Sequence, residues 1–83
     1  LSTKNYSAAL SAINKIDNPD KKILAAKQTV LYQLGAEAFI NSDYSEALKD
    51  FDAAIVMGEY DKQSKTDAYF WRGELNYRQT NYQ

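Results

Sequence analysis

The sequence predicts an all-α fold of four main helices, arranged as antiparallel helix-turn-helix repeats that stack into an α-α superhelix, and three observations carry that prediction. Laid on itself with an offset of 38, the chain aligns Asn5-Tyr6-Ser7 with Asp43-Tyr44-Ser45 and then with Asn81-Tyr82-Gln83. The same offset pairs Ala9-Leu10 with Ala47-Leu48, Ile13 with Phe51, Tyr32 with Phe70, Gly35 with Gly73 and Phe39 with Tyr77. A period of this size marks stacked supersecondary units, each too small to bury its apolar face alone. Apolar residues also recur at the three-and-four spacing of one helix face. Finally, 45% of residues are apolar while three are Gly and one is Pro, which suits a folded helical domain and not a linker or a loop-rich chain.

The first helix is expected over residues 5–16, with Asn5 as its cap and Tyr6, Ala9, Leu10, Ile13 and Ile16 on one side. Asn5-Tyr6-Ser7 also spells a glycosylation sequon, but at a helix start an Asn cap accounts for it. Asn18-Pro19 reads as cap and first-turn residue of a long second helix to about residue 41, which carries Ile23, Val30, Leu31, Leu34, Ala38 and Phe39. Asn41-Ser42 then forms a turn. Over 43–58, Tyr44, Ala47, Leu48, Phe51, Ala54 and Ile55 share a helix face, Asp43 caps the first turn with Glu46 reaching back, and Gly58 follows the last turn. A fourth helix over 63–79 carries Ala68, Tyr69, Leu75 and Tyr77.

Gly35 and Gly73 fall inside these helices, where each costs about 1 kcal/mol relative to Ala. The expected reason is a partner helix crossing too close to admit a β-carbon, with Ala9 and Ala47 as the small side chains on the other side of the contact. Eighty-three residues allow one domain with one modest core.

Leu31, Leu34-Gly35, Tyr44, Ala47, Phe51 and Ala54, with Gly35 twelve residues before Ala47 and Ala47 four before Phe51, resemble the signature of the tetratricopeptide repeat (TPR) family; Gly73 and Tyr82 repeat two of its positions. That family's usual period is about 34 residues, often with a closing Pro. Here the period is 38 and the Pro is missing, which resembles the lengthened repeats of bacterial envelope TPR proteins. The resemblance implies that residues 1–17 are the second helix of a partial repeat, 18–58 a complete repeat, and 59–83 the first helix of a following partial repeat with its turn. Solenoids normally close with polar capping helices, and neither end reads as one. The chain also opens with Leu1. The expectation is therefore a segment of a longer array, or open ends that self-associate, and the lean to bacterial periplasm or cell envelope rests on the resemblance.

Composition narrows the chemistry. Ten basic against eleven acidic side chains give a net charge of -1, so no whole-chain basic field would gather nucleic acid or an anionic membrane surface. The charge is uneven, since residues 1–30 carry five Lys and two acids while 31–83 carry five basic and nine acidic side chains; this would suit basic partners, but a solvated helix face explains the same counts and is the preferred reading. With no His and no Cys, imidazole and thiolate metal sites and the usual nucleophile-base pairs are absent. Asp50 and Asp52 diverge by about 200° around a helix and cannot converge on one substrate. The run Asp50–Asp61 places acids like a calcium loop, but Ile55 stands where that loop needs its Gly and Ala54 where it needs an oxygen ligand. The glycines are too scattered to cradle a phosphate. We expect no enzyme, no metal and no cofactor.

What remains is a binding surface. In TPR arrays the first helix of each repeat lines the concave face, and the resemblance puts Thr29, Tyr32, Gln33, Ala36 and Ile40 there from one repeat and Asp67, Phe70, Trp71, Glu74 and Arg78 from the next, with Phe39 and Tyr77 at the border. Independently of family, the adjacent aromatics Tyr69, Phe70 and Trp71 splay over about 200° of helix and cannot all enter one core. Trp, Tyr and Arg are the usual binding hot spots, so Trp71, Tyr32 and Arg78 are the expected anchors. The family's Lys- and Arg-rich carboxylate clamp is not carried over, because Ala36 and Glu74 occupy its places. The expected function is a non-catalytic scaffold that binds a peptide or protein segment, and the alternative is an accessory repeat segment of a larger envelope assembly or multidomain enzyme.

Overall fold

A computed structural model describes residues 3–81, and side chains over 5–78. Four helices pack against one another: α1 (Thr3–Asn14), α2 (Lys21–Ile40), α3 (Tyr44–Val56) and α4 (Lys62–Asn81). The described residues contain no strand, and none of their helices is long and apolar enough to cross a membrane. Among the described residues α2 is the hub and packs on all three other helices, α3 packs on both α2 and α4, and α1 packs on α2 alone.

The first two helix starts differ from expectation. Asn5 lies inside α1 and does not cap it. The cap of α2 is Asp20, whose backbone is extended and whose carboxylate accepts from the Ile23 amide at 2.9 Å. Asn18 turns the chain instead with φ +52°, and Pro19 precedes the helix. A cap must combine an extended backbone with an oxygen three residues before a free amide, and Asp20 meets both conditions. Ile16 falls past the end of α1 and is 42% exposed.

The α2–α3 turn follows from hydrogen-bond accounting. Ser42 takes a left-handed φ of +63°, and its amide donates to Phe39 O at 3.0 Å while that of Asp43 donates to Ala38 O at 2.8 Å. These two bonds satisfy the last carbonyls of α2 in the Schellman pattern. The Asp43 carboxylate then accepts from the Glu46 amide at 3.4 Å, so one residue ends one helix and starts the next. At the far end Gly58 has φ +108°, a conformation that favours glycine.

The core comprises Leu31, Leu34 and Ala38 of α2, Ala47, Phe51, Ala54 and Ile55 of α3, and Ala68 and Leu75 of α4. Of the apolar residues assigned to α4, Tyr69 is 49% and Tyr77 65% exposed, because nothing among the described residues covers the outer face of that helix. The Gly35 expectation holds with a different neighbour. A β-carbon there would meet the Phe51 ring at 2.6–3.0 Å, so it is an aromatic ring and not the Ala47 side chain that needs the space. Gly73, by contrast, meets nothing within 4 Å among the described residues; its expected close crossing is not present. Tyr82 lies outside the described residues; Asn81, expected to open a third helix start, is instead the last residue of α4, which runs two residues past its expected end at 79.

A buried polar node ties α2 to the end of α3 and the start of α4. The Gln28 side chain, fully buried, donates to Ala54 O and Gly58 O, both at 2.7 Å, and accepts from the amides of Tyr60 at 3.0 Å and Asp61 at 2.6 Å. Asp61 in turn caps α4. It accepts from the Ser64 amide at 3.0 Å and from the Ser64 hydroxyl, with the Thr29 hydroxyl 3.4 Å away. The hydrogen bonds from Ser64 hold its carboxyl below the usual carboxylate range.

Candidate functional site

Helix phase around α2 separates two clefts. Tyr32, Ala36, Phe39 and Ile40 fall within about 100° of arc on one side. Trp71 of α4 meets them there, and these five residues line a carbon-walled cleft of about 210 Å³. That volume is below the roughly 300–1,000 Å³ typical of small-molecule pockets and suits one or two side chains.

Phe39 organises the cleft. Its ring lies 4.8 Å from that of Trp71 and 5.6 Å from that of Tyr44, with the Arg78 guanidinium 5.3 Å over its face. Aromatic pairs at these separations are favourable beyond their area, and a cation over a ring adds an electrostatic attraction. Phe70 stands edge-on to Trp71 at 5.3 Å and is 60% exposed, which meets the expectation that at least one of the adjacent aromatics reaches the surface. Tyr32 faces two ways, bordering the cleft while its ring lies 5.9 Å from the core ring of Phe51.

The expected site residues therefore divide. Tyr32, Ala36 and Trp71 line the cleft, Arg78 joins it through Phe39, and Phe70 extends it outward. Gln33 and Glu74 are half-buried but are not among its walls. Thr29 is engaged elsewhere, donating to Ala25 O at 3.1 Å beside Asp61, and Asp67 accepts from the Gln63 amide group at 2.9 Å. Ile40, 78% exposed, forms the open lip.

Across α2 lies a second cleft that sequence reasoning did not find. Because α1 touches α2 and not α3, a space of about 560 Å³ remains between them. Its floor is Leu10, Leu31, Leu34, Ala38 and Ala53, and its α3 edge carries Asp43, Glu46, Lys49 and Asp50. Burial, then a hydrogen bond and the charge of Glu46, raise the Asp50 carboxyl to about 7 against the partial relief of Lys49. The folded chain consequently keeps a proton on Asp50 between its ordinary value of 3.8 and about 7, a window in which the unfolded chain has lost it. Stability from this group is full below that window and is lost as pH rises through it. Asp50→Asn, which mimics the protonated form, is expected to gain urea midpoint relative to the parent progressively from about pH 4 to 8. A constant difference across that range would show that Asp50 ionises normally.

Compared with family models, with curated proteins and with solved structures, the chain matches none.

Proposed function

We propose that this chain is a non-catalytic protein-interaction module of TPR type, and that the Tyr32–Trp71 cleft holds an apolar side chain of a bound peptide or protein segment. The observation that carries the reading is the cleft itself: an open, carbon-lined notch walled by Tyr32, Phe39, Ile40 and Trp71 at the junction of α2 and α4. In the TPR family the first helices of successive repeats line the concave face, and under that resemblance α2 and α4 would be those helices. The 38-residue internal repeat, the tight α2–α3 turn and the Gly35–Phe51 contact support the same assignment. Rigid aromatics with a nearby Arg are the usual composition of binding hot spots.

The test is capture by the chain from a lysate, identification of the partner, reduction to a peptide, and titration against Trp71→Ala. Removing an aromatic anchor is expected to weaken binding at least tenfold, about 1.4 kcal/mol or more, with the helical content unchanged. An identified partner that binds a folded Trp71→Ala chain as tightly as the parent excludes the cleft.

A second reading is favoured by the outer face of α4. Gly73 repeats Gly35 in sequence yet meets no side chain, and Tyr69 and Tyr77 stand exposed beside it. This suits an accessory repeat segment whose α4 is covered by another part of a larger assembly, or a chain that self-associates through that face.

A further inference from the structure

The cleft between α1 and α3 is not used by this reading, and it combines two features that helix packing alone does not require. The first is room. Its volume of about 560 Å³ lies within the usual range for ligand sites, and its floor reaches the core residues Leu31 and Leu34. The second is charge on one wall. In the 38-residue alignment the positions of Glu46 and Asp50 are held by Ala8 and Ala12 of the preceding copy, so the repeat itself does not need carboxylates there. Among the described lining residues, those from α1 and α2 (Ser7, Leu10, Leu31, Leu34, Ala38 and Asn41) hold no charge, and Lys49 alone opposes Asp43, Glu46 and Asp50.

We propose that this cleft is a second docking site, on the side of α2 away from Trp71, for a peptide segment in which a basic side chain flanked by aliphatic ones sets its cation between Glu46 and Asp50 and its apolar neighbours on the Leu10–Leu31–Leu34 floor. Charge complementarity selects this occupant: an anionic segment would add to a rim that already carries excess negative charge, and a purely apolar one would leave two crowded carboxylates facing each other out of full solvent. Asp50 holds its proton first because it is partly buried and then because of the hydrogen bond and charge of Glu46, and a cation placed between the pair favours its release.

The experiment is an NMR amide-shift titration of the chain with acetyl-Ala-Leu-Lys-Leu-Ala-amide and with its Gln and Glu counterparts at low salt. The Lys peptide is expected to bind about tenfold tighter than the other two, the effect of one charge-assisted hydrogen bond, and to shift amides of α1 and α3. Its affinity is expected to fall on going from about pH 7.5 to about 5.5, as Asp50 takes up its proton. Glu46→Gln with Asp50→Asn should erase the preference for Lys. Equal binding of the three peptides to the parent chain would overturn the proposal whether or not that variant folds. So would shifts centred on Trp71, or sedimentation showing that the cleft is filled by a second copy whose association the same double variant abolishes.

Discussion

Replacing Gln28 by alanine is expected to lower the unfolding free energy by about 3–4 kcal/mol, since four hydrogen bonds worth roughly 1 kcal/mol each are lost and their backbone partners are left under cover. The side chain donates to Ala54 O and Gly58 O and accepts from the Tyr60 and Asp61 amides. It therefore closes the end of α3, the 57–61 connection and the start of α4 onto α2. Four partners exhaust the two donors and most of the acceptor capacity of a primary amide, which makes the node specific for Gln. Gln28→Glu separates this from a volume effect. The carboxylate can still accept from both amides, but it faces two carbonyl oxygens without a proton to donate. Urea unfolding followed by circular dichroism at neutral pH should show Gln28→Glu destabilised as well, with part of the loss recovered as acid protonates the new side chain. A Gln28→Ala chain within about 1 kcal/mol of the parent would mean that water replaces the amide at little cost.

Gly35→Ala is expected to destabilise by about 1–3 kcal/mol, the usual range for overpacking a filled core, although Ala is the better helix former by about 1 kcal/mol. The added carbon would sit 2.6 Å from the Phe51 ring, and Phe51 is 0% exposed, so the ring has no solvent side to retreat to. Gly73→Ala provides the contrast. With nothing near that position among the described residues, only helix propensity acts, and a gain of about 0.5–1 kcal/mol is expected. Phe51→Leu in the Gly35→Ala background should recover part of the loss, giving a coupling energy in a double-mutant cycle. Were both glycine variants to shift stability in the same direction, the Phe51 contact would not be the reason for Gly35.

These two predictions mark where sequence reading stops. The four helices were legible because their signals are local: apolar residues at helical spacing, Asp43 before the first turn of α3, and Gly58 after its last. Tyr32, Ala36 and Trp71 were singled out through the family resemblance, but the cleft that they line with Phe39 and Ile40 depends on how α4 packs on α2 and was not legible. The start of α2 was legible only in part. Asn18-Pro19 and Asp20 are all good local signals, and only the backbone conformation at each chose Asp20. Gln28 reads as an ordinary polar helix residue until the 57–61 connection folds over it and supplies four partners at sequence separations of 26–33.

Gly35 and Gly73 are equivalent in the alignment and opposite in environment, because a β-carbon's room depends on which helix lies across from it. Tyr69 and Tyr77 likewise sit on an apolar stripe that no described helix covers, and the α1–α3 cleft exists because two helices that both pack on α2 do not touch each other. By itself, then, the sequence determined helix number, helix phase and the signals at both ends of α3, all set within a few turns of chain. Tertiary structure alone decided which glycine is crowded, which polar side chain is buried, and where the apolar surface is left open, because those properties belong to contacts between residues far apart in the chain.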